Sequence, residues 1–520
     1  MSRPLFSRTL PLSAVTPVVF MGLAIGLRAL DGLVSAFEVN EGIELLKAGV
    51  LMHDPHWFRT MWDDQPGTLM WILSWLFRLT GPDVAIGRWW VIGVTAALLT
   101  LLARSLEHRT GRGSSLALVP LLLADPTVFQ LLGSVMLEPA SIPFALAGAL
   151  CFQNRLQAPR VAVSLLAGIT TGLGLAIKLT ALLPTQLAGW AYLLAVWEAG
   201  RTHPDPTARR RQLHCHAALY AGGAVTMCLL AYRLGDYDFR ILGQSHVVGV
   251  LDSQPFWPQL PGAFRTSIGA WGVALPCVAL LPTSLIFCRI NRRLRTWILP
   301  WLATLVSTTV AFSIYPFWHN YYVIHFALPL AAIGAPTIAQ LARAAVRRAP
   351  PIRLLRPALG CAGIAAMAWV MSDSLSLFGK RSGGERAEAL QEIRSLLTEY
   401  RSQVGTVFAS TPHTYLFESG VLPVRGLEVV VEKRRQCGHL SPESALEILR
   451  SDPPGAIIAD PMRTGLSIYS PFTRPFLESG YALILENGVG EVWIRNDIVT
   501  QTGLTRRPNR ASRLIQELRL

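Results

Sequence analysis

Charge is what this sequence has least of. Of its 520 residues, 15% are Asp, Glu, Lys or Arg and 51% are hydrophobic; soluble domains carry about 25% charged residues. That deficit excludes an ordinary soluble chain. With a mean hydropathy of +0.38, it indicates a polytopic membrane protein. Paired cysteines are also missing. Cys151, Cys215, Cys228, Cys277, Cys288, Cys361 and Cys437 form no Cys-x-x-Cys unit and mostly fall in or beside apolar runs. They read as small buried hydrophobes with no disulfide framework. No internal repeat, P-loop or Gly-x-Gly-x-x-Gly signature is present. Gly172-x-Gly174 and Gly222-Gly223 lie inside apolar spans, where glycine serves close helix packing.

The net charge is +14, but its distribution excludes a nucleic-acid partner. The arginines sit in short clusters between apolar spans, such as Arg209-Arg210-Arg211 and Arg292-Arg293. This is the positive-inside pattern of cytoplasmic loops, not a binding stripe. A crossing helix needs about 20 apolar residues. Spans are expected at 12–33, 84–103, 116–135 (broken at Asp125-Pro126), 141–152, 161–177, 180–197, 217–232, 267–287, 297–312, 321–341 and 358–377. That gives about eleven crossings, with the N-terminus cytoplasmic and the C-terminal region outside. The first span reads as a retained helix, not a cleaved signal peptide. The apolar run 68–79 is too short to cross and reads as an interfacial or re-entrant helix.

From about residue 379 the composition changes. Residues 385–401 give an amphipathic helix with Ala389, Ile393, Leu396 and Leu397 on one face. Strands are expected at 404–409 and 455–459, and a hairpin at 481–486 and 491–495 around Asn487-Gly488. Ser441 reads as the plain N-cap of a helix opening with Pro442. The fold class is therefore mainly α, a polytopic membrane protein with a small C-terminal α/β domain outside the membrane. The expected domains are 1–378 in the membrane, 379–503 as the α/β domain, and a basic, disordered tail at 504–520.

The candidate chemistry lies in the first long outer loop, 34–83. It reads Asn40-Glu41-Gly42-Ile43-Glu44 near its start and Trp62-Asp63-Asp64-Gln65-Pro66-Gly67 further on. Ionisable groups are expensive beside hydrocarbon, so a cluster at a membrane face is a functional candidate. Glu41 is the first choice for a general base, because a partly dry setting tunes a carboxylate. The plainer alternative is an interfacial carboxylate beside a helix start, with Asp63 and Asp64 a solvated turn.

The spacing from Asn40-Glu41-Gly42-Ile43 to Asp64-Gln65-Pro66 and an apolar-aromatic helix resembles the GT-C superfamily of integral-membrane glycosyltransferases. It is closest to the branch of protein O-mannosyltransferases and lipid A aminoarabinose transferases. Leu137-Glu138-Pro139-Ala140, Ile177-Lys178-Leu179-Thr180 and His319-Asn320-Tyr321-Tyr322 agree with it, over residues 12–345. The resemblance implies transfer of a sugar from a polyprenyl-phosphate carrier to an acceptor hydroxyl, with inversion, on the outer face of a bacterial-type inner membrane. It implies Glu41 and Asp64 as catalytic carboxylates. Asn40, Gln65, Glu138, Lys178, His319, Tyr321 and Tyr322 would line the substrates. Membrane lipids and a lipid, glycan or protein acceptor would be the partners. A divalent metal on Asp64, His246 and His319 is a further candidate. Two motifs depart from the family, at three positions. Asn40 stands where an Asp is usual, and an amide cannot take up a proton at neutral pH. Gln65 and Gly67 replace the usual Lys and second Pro, so the missing cation is sought at Lys178, Arg59, Arg240 or Arg265. The competing readings are a flippase for a lipid-linked sugar and a catalytically inactive relative.

Overall fold

The computed structural model describes residues 38–111, 114–123, 126–235, 280–314, 319–348, 384–411, 414–431, 434, 438–459 and 473–507. Its contacts divide the chain into two compact units that alternate along the sequence. One holds 1–30, 89–234 and 254–380; the other holds 31–88, 235–253 and 381–520.

In chain order the helices before residue 350 are α1 Glu38–His53, α2 Pro55–Thr60, α3 Thr68–Thr80, α4 Val84–Thr110, α5 Leu118–Leu123, α6 Pro126–Leu132, α7 Leu137–Arg155, α8 Val161–Ile177, α9 Leu182–Thr202, α10 Pro206–Leu234, α11 Leu281–Ile290, α12 Arg292–Ile314 and α13 Ile324–Arg348. Several begin where a short polar side chain caps the first turn. Asp54, Asp83, Asp205 and Asn291 each accept from a backbone N–H two or three residues on, at 2.7–2.9 Å. Pro55 and Pro206 follow directly, at the first helical position, where a missing N–H costs nothing.

Among the described residues, five helices are long and apolar enough to cross a membrane: Val84–Thr110, Leu179–Thr202, Pro206–Leu234, Arg292–Ser313 and Tyr321–Arg343. The chain is a multipass membrane protein. Each of the five contains one of the expected spans. The expected first span at 12–33 and last span at 358–377 lie outside the described residues, as does most of 267–287. The stretch 116–135 is not one helix; a 3₁₀ turn at Ser114–Ala117 leads into the short α5 and α6. Proline accounts for the break, because Pro126 supplies no N–H to continue the ladder. The helix expected at 68–79 is α3, and the loop expected at 34–83 is helical before it as well, as α1 and α2.

In the first unit α7, α8 and α10 pack backbone against backbone. A Cβ at Gly148 of α7 would press on the Ala167 carbonyl, one at Gly168 of α8 on the Tyr220 carbonyl, and one at Gly172 on the Ala224 carbonyl. Gly223 of α10 faces the Leu165 carbonyl in the same way, whereas Gly222 beside it faces open space. The glycines of these spans are thus sites of close helix approach, with Gly222 the exception.

In the second unit the chain after residue 383 adds α14 Gly384–Glu399, α15 Arg401–Val404, β1 Thr406–Ala409, α16 Thr414–Ser419, β2 Leu422–Pro423, α17 Pro442–Ser451, β3 Ala456–Ala459, α18 Thr473–Gly480, β4 Tyr481–Glu486, β5 Glu491–Arg495 and α19 Asn496–Thr502. The sheet order is β2-β1-β3-β5-β4. β1 pairs parallel with β2 and β3; β5 pairs antiparallel with β3 and β4. All four residues of β3 are buried, as a strand covered on both faces requires. Alternate residues feed two cores. Val407, Ile458, Val492 and Ile494 pack with Ile393, Leu396 and Leu397 of α14 and with Leu46 of α1. Phe408, Ile457 and Trp493 pack with Leu449 and Leu477 on the other face.

Ser441 is more than a plain cap. Its Oγ accepts from the Ser444 N–H at 3.1 Å, and Ser444 Oγ accepts from the Ser441 N–H at 2.9 Å. Serine closes the reciprocal box that Glu or Gln usually completes.

Gly172→Ala is expected to lower the unfolding midpoint of the detergent-solubilised protein, since overpacking costs about 1–3 kcal/mol. Gly222→Ala is expected to leave it unchanged or raise it slightly. Equal midpoints for the two variants would contradict the close approach.

Candidate active site

The sequence-identified residues fall into two groups, one in each unit. In the second unit the organising element is α1, which carries Glu41, Glu44 and Lys47 three residues apart. Glu41 is fully buried. Its two carboxylate oxygens accept from Arg88 Nε at 2.8 Å and Arg88 Nη2 at 2.6 Å, a two-point contact that a lysine cannot make. Two turns on, Lys47 is buried with its Nζ 2.9 Å from Asp63 Oδ1 and 3.5 Å from Glu44 Oε1. Burial opposes the ammonium charge, but Asp63 and Glu44 hold Lys47 above the ordinary lysine range. Burial also pushes the Asp63 carboxyl above its usual value, against the pull of Lys47.

The turn that follows is built on Asp63, whose Oδ1 also accepts the Gln65 N–H at 3.0 Å. Asp64 and Gln65 are half-buried, as is Asn40 on α1. Along α1, Glu41 and Lys47 are separated by roughly 9 Å of helix rise. The expected acidic clusters are therefore organised by one helix, but the buried acid of the second cluster is Asp63, with Asp64 the more accessible. Arg59 is exposed on α2. The buried cations beside the acids are Lys47 and Arg88, neither of which sequence reasoning singled out. A signal existed for both: Lys47 continues the three-residue spacing of Glu41 and Glu44, and Arg88 is a lone arginine in the first turn of an apolar helix.

The same unit brings the α/β layer against these helices. Trp57 Nε1 donates to buried Glu428. Phe77 packs on Phe417 with centroids 5.0 Å apart, and Arg425 Nη2 donates to Thr60 Oγ1 at 3.3 Å. The Arg434 guanidinium lies 5.6 Å from the Trp62 ring centroid.

In the first unit five of the residues named from sequence meet. Glu138 sits in the first turn of α7, and Lys178 at the break between α8 and the 3₁₀ turn Leu179–Ala181. Both are buried and form an ion pair. The Lys178 ammonium lies 5.1 Å from the centroid of Tyr321 and 5.8 Å from that of Tyr322, within cation–π range. His319 is exposed and stacks on Tyr321 at 4.9 Å with an interplanar angle of 11°. Lys178 is thus a paired, aromatic-caged cation and not a lysine reaching for water. Among the described residues no group of three or more His, Cys, Asp or Glu side chains is placed to hold a metal ion. Asp64 and His319 belong to different units; His246, Arg240 and Arg265 lie outside the described residues.

The chain matches no protein-family model and no curated protein. Its fold does match solved structures along nearly its whole length, among them glycosyltransferases of the GT-C fold. ArnT from Cupriavidus metallidurans in the apo state superposes with a TM-score of 0.63 at 14% identity, covering 93% of this chain and 98% of that one. The same enzyme bound to undecaprenyl phosphate gives 0.59 at 13%, covering 92% and 97%. The Archaeoglobus fulgidus oligosaccharyltransferase, tethered to an acceptor peptide with the NVT sequon, gives 0.52 at 12%, covering 92% and 74%. The GT-C fold anticipated from the motifs is the fold of this chain.

Removing one partner of a buried ion pair leaves an uncompensated charge, at a cost of about 3–5 kcal/mol. Arg88→Met is accordingly expected to destabilise the protein strongly. The double variant Arg88→Met, Glu41→Leu is expected to recover most of that loss in thermal unfolding. A double variant no better than the single one would show that the pair is not the source.

Proposed function

We propose that this protein is a glycosyltransferase that moves a sugar from a polyprenyl-phosphate carrier to an acceptor hydroxyl on the outer face of a bacterial inner membrane. The observation that carries this reading is the likeness along almost the full chain to ArnT in both the apo and the lipid-phosphate-bound states, together with the meeting of Glu138, Lys178, Tyr321, Tyr322 and His319. The packing of 38–80 against 384–507 supports a common side of the membrane for both segments.

In the proposed reaction the acceptor oxygen attacks the anomeric carbon with inversion. The new C–O bond forms as the bond from that carbon to the phosphate oxygen breaks, and the lipid phosphate leaves with the electron pair. A carboxylate takes the acceptor proton. Asp64 is the half-buried candidate. Glu41 serves as base only if Arg88 releases it, because a carboxylate held at two points by a guanidinium is a weak proton acceptor. Asn40 and Gln65 orient the acceptor. In the first unit, considered by itself, Lys178 beside Tyr321 and Tyr322 is a buried cation suited to stabilising a phosphate's negative charge.

The amide at Asn40 and the Arg88-bound carboxylate of Glu41 favour one alternative, a relative that binds the carrier without turnover. Reconstituted protein supplied with labelled lipid-phosphate sugars and candidate acceptors separates the two. Transfer is expected, reduced at least about 100-fold in Asp64→Asn and in Lys178→Met. Binding of the lipid with no transfer to any acceptor would support the inactive relative. Flux of the lipid-linked sugar across a vesicle without acceptor would support a flippase. Loss of transfer with a chelator, restored by added Mg²⁺, would bring a divalent ion into the reaction.

A further inference from the structure

A cavity lies within the first unit, at the far end of its helices from Glu138 and Lys178. It has a volume of about 560 Å³. On α7 alone it lies fifteen residues beyond Glu138, at Gln153, or roughly 22 Å of helix rise. Its wall on α9 is a single stripe, Ala191, Leu194, Ala195, Glu198, Ala199 and Thr202, at the three- and four-residue spacings of one helix face. The stripe runs about 16 Å, apolar at one end and polar at the other. Alanines open the space along it.

The polar end is strongly cationic. Arg109, Arg209, Arg292 and Arg293 line it against one carboxylate, Glu198. That carboxylate is already engaged by Arg292 and Arg295, each at 3.0 Å. Among the described residues Arg109 donates only to neutral groups, namely Asn154 Oδ1 at 3.2 Å, the Gln153 carbonyl at 2.9 Å and Thr296 Oγ1 at 3.3 Å. Arg209 likewise donates to the Leu156 and Gln157 carbonyls and to Gln212 Oε1. Guanidinium charge is therefore left without a matching anion. The wall also holds Gln153, which is 2% exposed. Its Nε2 donates to the Thr296 carbonyl at 3.3 Å, while its Oε1 has no hydrogen-bond partner among the described residues. A buried acceptor in that state calls for a donor.

We propose that this cavity binds the headgroup of an anionic phospholipid, the phosphate on the arginines and the start of an acyl chain along Ala191, Leu194 and Ala195. A free phosphate would satisfy the arginines but leave the apolar wall unused. Guanidinium pairs with phosphate oxygens in two-point geometry, and an amphipathic cavity of this length suits a head with a chain attached.

The test uses the full chain in nanodiscs of phosphatidylcholine doped with phosphatidylglycerol, with retained lipid counted by mass spectrometry after extraction. Selective retention of phosphatidylglycerol is expected, reduced about tenfold by Arg109→Gln, the worth of one charge-assisted hydrogen bond. Arg293→Gln, at an exposed side chain with no hydrogen bond or ion pair among the described residues, is expected to reduce it as well. Ala195→Phe is expected to block lipid retention by filling the apolar end while leaving the charges in place. Equal retention of phosphatidylcholine, or unchanged retention in both Arg293→Gln and Ala195→Phe, overturns the proposal. So does displacement of the lipid by inorganic phosphate with Ala195→Phe still binding phosphate, which would make this a free-anion site.

Discussion

A charge taken out of water must be met by an opposite charge or the fold does not hold. This chain has few charges, and among its most buried are three ion pairs: Glu41 with Arg88, Lys47 with Asp63 and Glu138 with Lys178. Each joins residues distant in sequence, so each fixes how two elements meet. Glu41–Arg88 ties α1 to the start of α4. Lys47–Asp63 ties α1 to the turn before α3. Glu138–Lys178 ties the start of α7 to the break after α8. Leucine would pack in any of several registers, whereas these contacts tolerate one.

Under the proposed function the same pairs would matter for chemistry. A phosphate entering either unit would compete for the cations that now face its buried carboxylates. Lys178 already has an aromatic cage, so its position is held even when its partner changes. This is preorganisation in the usual sense: the donors are placed before charge develops. Asp64, next in the chain to Asp63, is half-buried where Asp63 is buried.

Much of this was readable in the chain. The apolar runs gave the long helices, and the alternation after residue 400 gave strands β1, β3, β4 and β5 to within two residues. The motif residues 138, 178, 319, 321 and 322 were named before their meeting was visible. What escaped has physical causes. Residues 38–60 read as loop because they carry charges between two apolar runs, yet Glu41, Glu44 and Lys47 are buried side chains of helix α1. Arg88 and Lys47 were overlooked because a lone cation in an apolar setting gains meaning only from the acid opposite. The two-residue β2 is too short for any periodicity to register. Serine at position 444 completes a cap by a geometry that its residue type does not advertise.

The pairing of 38–80 with 384–507 has a consequence for biosynthesis. The chain emerges from the ribosome in order, and domains form as their parts become available. Trp57 waits for Glu428, and Phe77 for Phe417, across some three hundred intervening residues. Until the end of the chain arrives, the opening helices present an unfinished apolar face, and a translation stop before that point leaves it uncovered. Quality control in the membrane would thus read completion of this protein at its beginning.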